Sequence, residues 1–314
     1  MYINAMGCYV PEKRVPNEYF KEVNGLTPDW IEQRTGIRTR SKAGEDENVD
    51  TMGLRAVEDA VAHLPYDIKD VDLIVAAHYC AYDTVATLAH KVQREYAING
   101  AKALYVSSAC SSFINGLEVI EGYFAMGKAK RALLVCSEHN SYYANEADQK
   151  SGHLWGDAAV AFFISKDKEA DNDIRILDVY TEGLGDIGKG PAGVTLRPKE
   201  DGIDMPDGRD VFIHACRYMI YALDKSLENL GLERKDISRL ITHQANKRIV
   251  AQVAHQLDLT LDSFYNNIEE LGNTGSASAA LVLVQNIDKI KKGEKVALMV
   301  FGGGYSCGCF IIEK

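Results

Sequence analysis

The sequence lacks the features that mark several common classes of protein. None of its apolar runs approaches the length needed to span a bilayer, and its first residues, MYINAMGCYVPEKRVPNE, lack the basic and then apolar layout of a signal peptide. It has no concentrated basic run, and its formal net charge of -10 would repel a phosphodiester backbone. We therefore expect a cytoplasmic protein with no nucleic-acid partner and no membrane partner.

Patterns typical of disulfide frameworks and metal sites are also missing. The seven cysteines are an odd number scattered through apolar segments, which favours reduced thiols. Cys307 and Cys309 in YSCGCF have no second pair and no neighbouring histidine at ligand spacing. The sequence therefore predicts no metal site, and the segment around these two cysteines is interpreted as a buried strand.

Alternating apolar and helical segments dominate the sequence instead. Short β-branched apolar runs occupy residues 72–77, 103–108, 132–137, 159–164, 239–243 and 296–301, with helical patterns between them. This alternation predicts an α/β protein whose sheets are covered on both faces. The polar stretch at 165–173 suggests a division into two similar halves, and the glycine-rich run at 183–195 is interpreted as an ordered loop or lid.

Cys110 occupies a position that favours reactivity. It lies in SSACSSF, between a predicted strand and a helix whose apolar face is formed by Phe113, Leu117, Ile120 and Phe124. The positive end of a helix and its free N–H groups favour a thiolate, so Cys110 is a candidate nucleophile. A buried structural cysteine beside serine caps would produce the same local pattern.

Three further segments have candidate functional residues. His243 in THQAN follows a predicted strand, and Asn273 lies in LGNTGSASAA, a turn of small residues that opens a helix. The glycines of FGGGYSCG would allow backbone N–H groups to approach a developing oxyanion. Each segment also has an ordinary structural interpretation as a packed histidine, a helix cap or a tight hairpin.

In this order, the four segments resemble the β-ketoacyl-acyl carrier protein synthase III family of the thiolase-like superfamily. The resemblance extends over essentially the whole chain through GCYVPEKRVPN, WIEQRTGIRTR, WGDAAVAF, MPDGRDVF and THQANKRI. It implies an α/β fold, the thiolase-like five-layered αβαβα sandwich of two similar halves, usually assembled as a homodimer. Residues 1–166 would form the half that carries the nucleophilic cysteine, and residues 167–314 the half that carries the histidine and asparagine.

The resemblance also implies catalytic roles. Cys110 would be acylated, and His243 with Asn273 would assist decarboxylation of a malonyl thioester. The backbone N–H groups of Gly303 and Cys110 would form the oxyanion hole. The implied reaction is a decarboxylative Claisen condensation of a short or medium acyl-thioester primer with malonyl-acyl carrier protein.

Substrate contacts are implied in the same way. Trp30 would stack on the adenine of coenzyme A, with Arg34 close to the same ligand and Asn246 in a supporting role. Arg248 would contact the acidic acyl carrier protein. The coenzyme A thioester is then a substrate, and no bound cofactor is expected.

Some positions depart from the family pattern. Ser112 stands where family members commonly have glycine, the segment at 84–87 lacks an expected proline, and Lys150 is the nearest candidate for a basic residue opposite Trp30. These changes favour a specialised, polyketide-like role over housekeeping fatty-acid initiation. Two alternatives stay open: an acyltransferase of the same fold that does not decarboxylate, and a non-catalytic partner subunit.

Overall fold

The computed structural model describes residues 1–200 and 202–314. Its strands are β1 (Tyr2–Tyr9), β2 (Arg14–Pro16), β3 (Thr39–Ser41), β4 (Leu73–Ala77), β5 (Lys102–Val106), β6 (Arg131–His139), β7 (Asp157–Ser165), β8 (Ile174–Gly183), β9 (Thr195–Arg197), β10 (Gly202–Asp204), β11 (Arg239–Thr242), β12 (Lys295–Gly302) and β13 (Ser306–Glu313). Its α-helices are α1 (Glu18–Val23), α2 (Pro28–Thr35), α3 (Val49–Val61), α4 (Leu88–Glu95), α5 (Ser112–Ala125), α6 (Asn140–Tyr143), α7 (Gly208–Leu230), α8 (Lys247–Gln256), α9 (Ile268–Leu271) and α10 (Ser278–Asn286).

The main strands follow one pairing scheme twice. Their spatial order is β11-β12-β13-β8-β1-β7-β6-β4-β5. The run β1-β7-β6-β4 has two antiparallel pairings and then a parallel one, and the run β8-β13-β12-β11 repeats this scheme. The two runs join through a short antiparallel contact between β1 and β8. This topology fits a fold built from two similar halves.

Helices form the layers on both faces of these strands. Helices α5 and α10 contact strands of both runs and form the central layer, around a core that includes Leu117, Phe162, Leu281 and Phe310. Helices α3 and α4 cover the other face of the first run, and α7 covers that of the second, with α8 packed against α7. Helix, sheet, helix, sheet and helix thus form the predicted αβαβα sandwich.

The sequence patterns correspond closely to the observed elements. All six apolar runs lie in or overlap strands β4, β5, β6, β7, β11 and β12, and the predicted helix after Cys110 is α5. The glycine-rich run is an ordered loop that contains a short 3-10 turn at Gly190–Ala192 and leads into β9. In that loop, the N–H of Leu184 donates to the carbonyl of Tyr305 at 2.9 Å. This hydrogen bond ties the loop to the segment between β12 and β13.

Gly7 permits the close packing of α3 on β1. A Cβ atom at this position would lie 2.3 Å from the backbone nitrogen of Ala60 and 2.7 Å from the carbonyl oxygen of Ala56. Both distances are below van der Waals contact, and both neighbours are backbone atoms of a regular helix. The strand therefore approaches the helix more closely here than a side chain would allow.

We predict that Gly7→Ala lowers the free energy of unfolding by about 1–3 kcal/mol, because the added methyl group must push α3 away from β1. Gly122→Ala is the matched control, since nothing lies within 4 Å of a Cβ at that position of α5. It should stabilise the protein by about 0.5–1 kcal/mol through the higher helix propensity of alanine. Urea denaturation measures both values, and equal effects would contradict the packing argument.

Candidate functional site

The turn that presents Cys110 connects β5 to α5. Ala109, just before it, has a left-handed φ of 50°, which is unfavourable for a residue with a Cβ. The Ser112 hydroxyl donates to the carbonyl of Ala109 at 2.6 Å and accepts from the N–H of Ser108 at 2.8 Å. The Ser111 hydroxyl donates to the carbonyl of Ser108 at 2.7 Å. Ser112, which departs from the family pattern, therefore helps to hold the turn in its strained conformation.

The thiol of Cys110 is neutral in this environment. Burial, followed by the negative charge of Glu138, raises its pKa to about 12. The Tyr79 hydroxyl, followed by the backbone N–H groups of Gly303 and Cys110 itself, acts in the opposite direction and lowers this pKa. Burial therefore disfavours the resting thiolate that the helix end was predicted to favour. Gly303, one of the two residues predicted to form the oxyanion hole, lines the same cavity as Cys110.

A cavity of about 240 Å³ opens beside the thiol. Its lining includes Cys110, Gly303, Tyr79, Trp155, Val194, Leu196 and Ile203. Val194 belongs to the glycine-rich run, so the ordered loop forms part of one wall. The walls away from the sulfur are mainly apolar, which suits an acyl chain.

His243 is positioned by the end of β11. Its backbone N–H donates to the carbonyl of Met299 on β12 at 2.8 Å, and its Nδ1 lies 2.7 Å from the Ser278 hydroxyl. That hydroxyl accepts a hydrogen bond from the N–H of Gln244 at 3.3 Å, so its own hydrogen is free to donate to Nδ1. We assign the ring proton to Nε2, the tautomer in which Nδ1 accepts from the Ser278 hydroxyl. Burial lowers the pKa of His243 to about 4, so the ring is neutral at neutral pH.

Asn273 occupies the turn between α9 and α10. Its Oδ1 accepts from the N–H of Gly275 at 3.0 Å, and its carbonyl accepts from the N–H of Gly156 at 2.9 Å. Its own N–H donates to the carbonyl of Leu154 at 2.8 Å. No hydrogen bond within residues 1–200 and 202–314 uses its Nδ2. The amide N–H groups of the side chain are therefore available to another molecule.

Shared neighbours group the three predicted catalytic residues. Trp155 forms a β-bridge with Asn273 and lines the cavity beside Cys110. His243 bonds to Ser278, five positions after Asn273, and its strand runs parallel to β12, which ends just before Gly303. The structure thus brings a thiol, a neutral imidazole and a side-chain amide to one end of the sheets.

A second cavity, of about 480 Å³, contains the residues predicted to bind substrate. Trp30, Arg34, Asn246 and Arg248 line it together with Lys150 and Arg209. The guanidinium of Arg34 lies over the Trp30 ring, 5.2 Å from its centroid. Leu154 lines this cavity and the next residue, Trp155, lines the thiol cavity, so the two cavities are neighbours. Four cations and an indole in one cavity suit a phosphorylated ligand that has an aromatic ring.

Sequence reasoning missed several residues of the site. Arg209 lies in the family motif MPDGRDVF, but only the packing of α7 brings it to this second cavity, here called the cationic cavity. Tyr79 follows the buried strand β4, and Glu138 lies near the end of the buried strand β6. Nothing in the local sequence marks either residue as part of a site. Asn246 also caps α8, accepting from the N–H of Arg248 at 2.8 Å. The buried Gln244 amide has a structural role, with its Oε1 accepting from the N–H of Asn267 at 3.1 Å.

The possible metal ligands in residues 1–200 and 202–314 do not cluster. No group of three or more histidine, cysteine or acidic side chains in this part of the chain could hold a metal ion. Cys307 and Cys309 are buried on β13, as the interpretation of a buried strand requires. None of the helices described there is long and apolar enough to cross a bilayer.

Comparison with known proteins identifies the family. A family model described as 3-oxoacyl-[acyl-carrier-protein (ACP)] synthase III matches residues 105–183, and one for the C terminal of the same enzyme matches residues 227–314. The chain is 34% identical over 315 residues to the β-ketoacyl-[acyl-carrier-protein] synthase III of Deinococcus deserti, covering 97% of this chain and 88% of that protein.

Solved structures agree with this family. The chain is similar to 3-oxoacyl-[acyl-carrier-protein] synthase III from Aquifex aeolicus VF5, with a TM-score of 0.91 and 27% identity over 100% of this chain and 99% of that one. It is also similar to the priming β-ketosynthase of the R1128 polyketide biosynthetic pathway, with a TM-score of 0.89 and 26% identity over 99% and 95% of the chains. The chain therefore belongs to the β-ketoacyl-acyl carrier protein synthase III family.

Proposed function

We propose that this enzyme condenses an acyl primer, carried as a thioester on Cys110, with malonyl-acyl carrier protein to give a β-ketoacyl thioester. The observation that supports this most directly is the cavity of about 240 Å³ that Cys110 and Gly303 line together. A neutral His243 and a side-chain amide of Asn273 lie at the same end of the sheets. The names of the related enzymes agree with this reaction.

Acyl loading forms one bond and breaks one. The sulfur of Cys110 attacks the carbonyl of the donor thioester, and the N–H groups of Gly303 and Cys110 stabilise the tetrahedral oxyanion. The C–S bond to the donor then breaks, and the proton of the Cys110 thiol ends on the released thiol. Burial raises the pKa of this thiol, which disfavours a free thiolate before the donor binds.

Condensation uses the other two side chains. The Nε2–H of His243 and an Nδ2–H of Asn273 donate to the malonyl thioester carbonyl as its C–CO2 bond breaks. CO2 leaves, and the resulting enolate carbon attacks the acyl carbonyl on Cys110. A new carbon-carbon bond replaces the acyl C–S bond, and the released Cys110 sulfur takes up a proton. Both donors are neutral, so neither must lose a proton to act.

The cationic cavity is the proposed binding place for the donor. Trp30 would stack on the adenine of coenzyme A, with Arg34 beside it and Asn246 at the inner edge, while Lys150 and Arg209 add positive charge for phosphates. Coenzyme A thioesters are then substrates and not bound cofactors.

Arg248 is the proposed docking residue for the carrier protein. Its side chain is exposed on the first turn of α8, at the rim of the cationic cavity. An exposed cation attracts an acidic partner and accelerates its encounter. A carrier bound at this rim would bring its thioester toward the thiol cavity through the same opening as coenzyme A.

We also propose a homodimer in the cytoplasm, with the two halves divided between residues 166 and 167. Tyr82, Val85 and Tyr142 support an interface, because they are 63%, 84% and 71% exposed on one face. Tyr82 and Tyr142 line the same two surface cavities there. Exposed large apolar side chains that lie together commonly mark a contact surface. The repeated strand scheme supports the division into halves.

A short or medium primer fits the site best. The thiol cavity is about 240 Å³, and its lining includes the apolar side chains of Val194, Leu196 and Ile203. The likeness to a polyketide priming synthase supports a specialised pathway as an alternative to fatty-acid initiation.

The preserved Asn273 disfavours plain acyl transfer, which needs no second carbonyl donor. The three catalytic side chains together disfavour an inert partner subunit.

Cys110→Ala should abolish covalent acyl loading, because Cys110 is the cysteine in the lining of the thiol cavity. Intact-protein mass spectrometry after incubation with acyl-coenzyme A donors, from acetyl to medium chains, measures the added acyl mass. Cys8→Ala is the matched control and should load normally, since Cys8 is half-buried but lies on β1. A stable acyl adduct on the Cys110→Ala protein would refute the assignment.

His243→Ala and Asn273→Ala should each retain acyl loading but slow condensation by about 100- to 1000-fold, the usual cost of removing one oxyanion donor. Release of CO2 from malonyl-carrier protein by preloaded enzyme measures the second step. His255→Ala, exposed on the last turn of α8, is the control and should leave both steps unchanged. Equal losses in loading and condensation would argue against separate roles.

Arg248→Glu should reduce kcat/KM for malonyl-carrier protein by about tenfold at low salt, with a smaller effect on a short malonyl thioester. The charge reversal repels an acidic carrier but does not alter the thiol cavity. Arg217 is an exposed arginine on another helix, α7, so Arg217→Glu provides the same charge change as a control. If both variants behave alike, or if both substrates respond equally, Arg248 is not the docking residue.

A further inference from the structure

Glu138 is a buried carboxylate that the proposed mechanism does not use. It lies near the end of β6, is fully buried, and has no cationic partner in the part of the chain that the structure describes. Burial raises its pKa to about 7. An unpaired buried carboxylate costs stability, so its presence calls for a role other than strengthening the core.

Its carboxylate connects two segments that are distant in sequence. Oε1 and Oε2 accept from the N–H groups of Tyr79 at 3.2 Å and Cys80 at 3.0 Å, just after β4. Oε1 also accepts from the hydroxyl of Ser276 and from its N–H at 3.4 Å. Ser276 belongs to the turn after Asn273, here called the 273–278 turn. One side chain thus joins this turn to the segment beside the thiol cavity.

The packing around this link is tight. Gly275 has a φ of +62°, and a Cβ there would lie 2.6 Å from the Tyr79 hydroxyl and 3.0 Å from the Cγ of Glu138. Asn140, two residues after Glu138, accepts from the Tyr79 hydroxyl at 2.7 Å and donates to the carbonyl of Asn273 at 3.3 Å. The turn is therefore hydrogen-bonded to Asn140, and it has no room to shift toward Tyr79.

The 273–278 turn determines the positions of both condensation residues. Asn273 begins it, and Ser278 ends it with a 2.7 Å hydrogen bond to the Nδ1 of His243. Cys110 lies on another turn, which is held by its own serine hydrogen bonds. Movement of the 273–278 turn would therefore displace the donors of the second step while leaving the nucleophile in place.

We propose that Glu138 is a positioning residue for condensation, because its carboxylate holds the 273–278 turn against residues 79–80 and thereby places Asn273 and His243 opposite Cys110. This inference rests on the proposed function of the site. A glutamine keeps the shape of the side chain but has one acceptor oxygen, so in either orientation its NH2 group faces a backbone N–H: that of Cys80, or those of Tyr79 and Ser276.

Glu138→Gln should retain acyl loading of Cys110 and lower the kcat of condensation by about 100-fold, with little change in the KM for malonyl-carrier protein. Amide hydrogen exchange in peptides that cover the 273–278 turn should become about tenfold faster, because a charge-assisted anchor is lost. Asp178→Asn is the matched control. Its carboxylate also joins two elements, β8 and α7, through Ser226, but it does not contact the turn.

Ser276→Ala provides a second variant if Glu138→Gln unfolds, since it removes the hydroxyl hydrogen bond of the link and leaves the 3.4 Å bond from the Ser276 N–H. It should show the same separation of loading from condensation and the same faster exchange. Unchanged exchange in the turn would overturn the proposal, as would equal losses of loading and condensation or an unchanged condensation rate. If the unsubstituted enzyme loads acyl groups but releases no CO2, the proposed function fails, and the exchange comparison still decides whether Glu138 anchors the turn.

Discussion

The site depends on one close backbone contact between distant parts of the chain. Asn273 donates its N–H to the carbonyl of Leu154 at 2.8 Å and accepts from the N–H of Gly156 at 2.9 Å. A Cβ at Gly156 would lie 1.9 Å from the carbonyl oxygen of Leu271, so only glycine allows the approach. This contact places Trp155 in the wall of the thiol cavity and Asn273 beside it. The same contact positions the turn that orients His243 through Ser278.

Burial disfavours the charged forms of Cys110 and His243 in the resting site. It raises the pKa of Cys110 to about 12 and that of Glu138 to about 7, and it lowers the pKa of His243 to about 4. A neutral imidazole can donate from Nε2, and a neutral thiol becomes a nucleophile only when a substrate carbonyl accepts the developing charge near the two N–H groups. The site is thus organised for charge that appears during the reaction and not before it.

Much of the fold follows from local patterns in the sequence. The run at 132–137 lies within β6, and the helical spacing after Cys110 corresponds to α5, because burial on a sheet or a helix face imposes a period on apolar residues. Local patterns did not predict the raised pKa of the Cys110 thiol. A helix end is visible in the sequence, whereas the burial of Cys110 and the charge of Glu138 arise only when distant strands pack together.

The sequence by itself determined the α/β class through local periodicity, and its short motifs determined the order of the reactive segments and the family resemblance, which in turn implied the αβαβα architecture. Only the tertiary structure decided which residues meet. It brought Arg209 to the cavity of Trp30 and Arg248, and it placed Glu138 between residues 79–80 and the 273–278 turn. Distances across a sandwich depend on how whole layers pack, and no local pattern in the chain encodes the neighbours of a side chain across those layers.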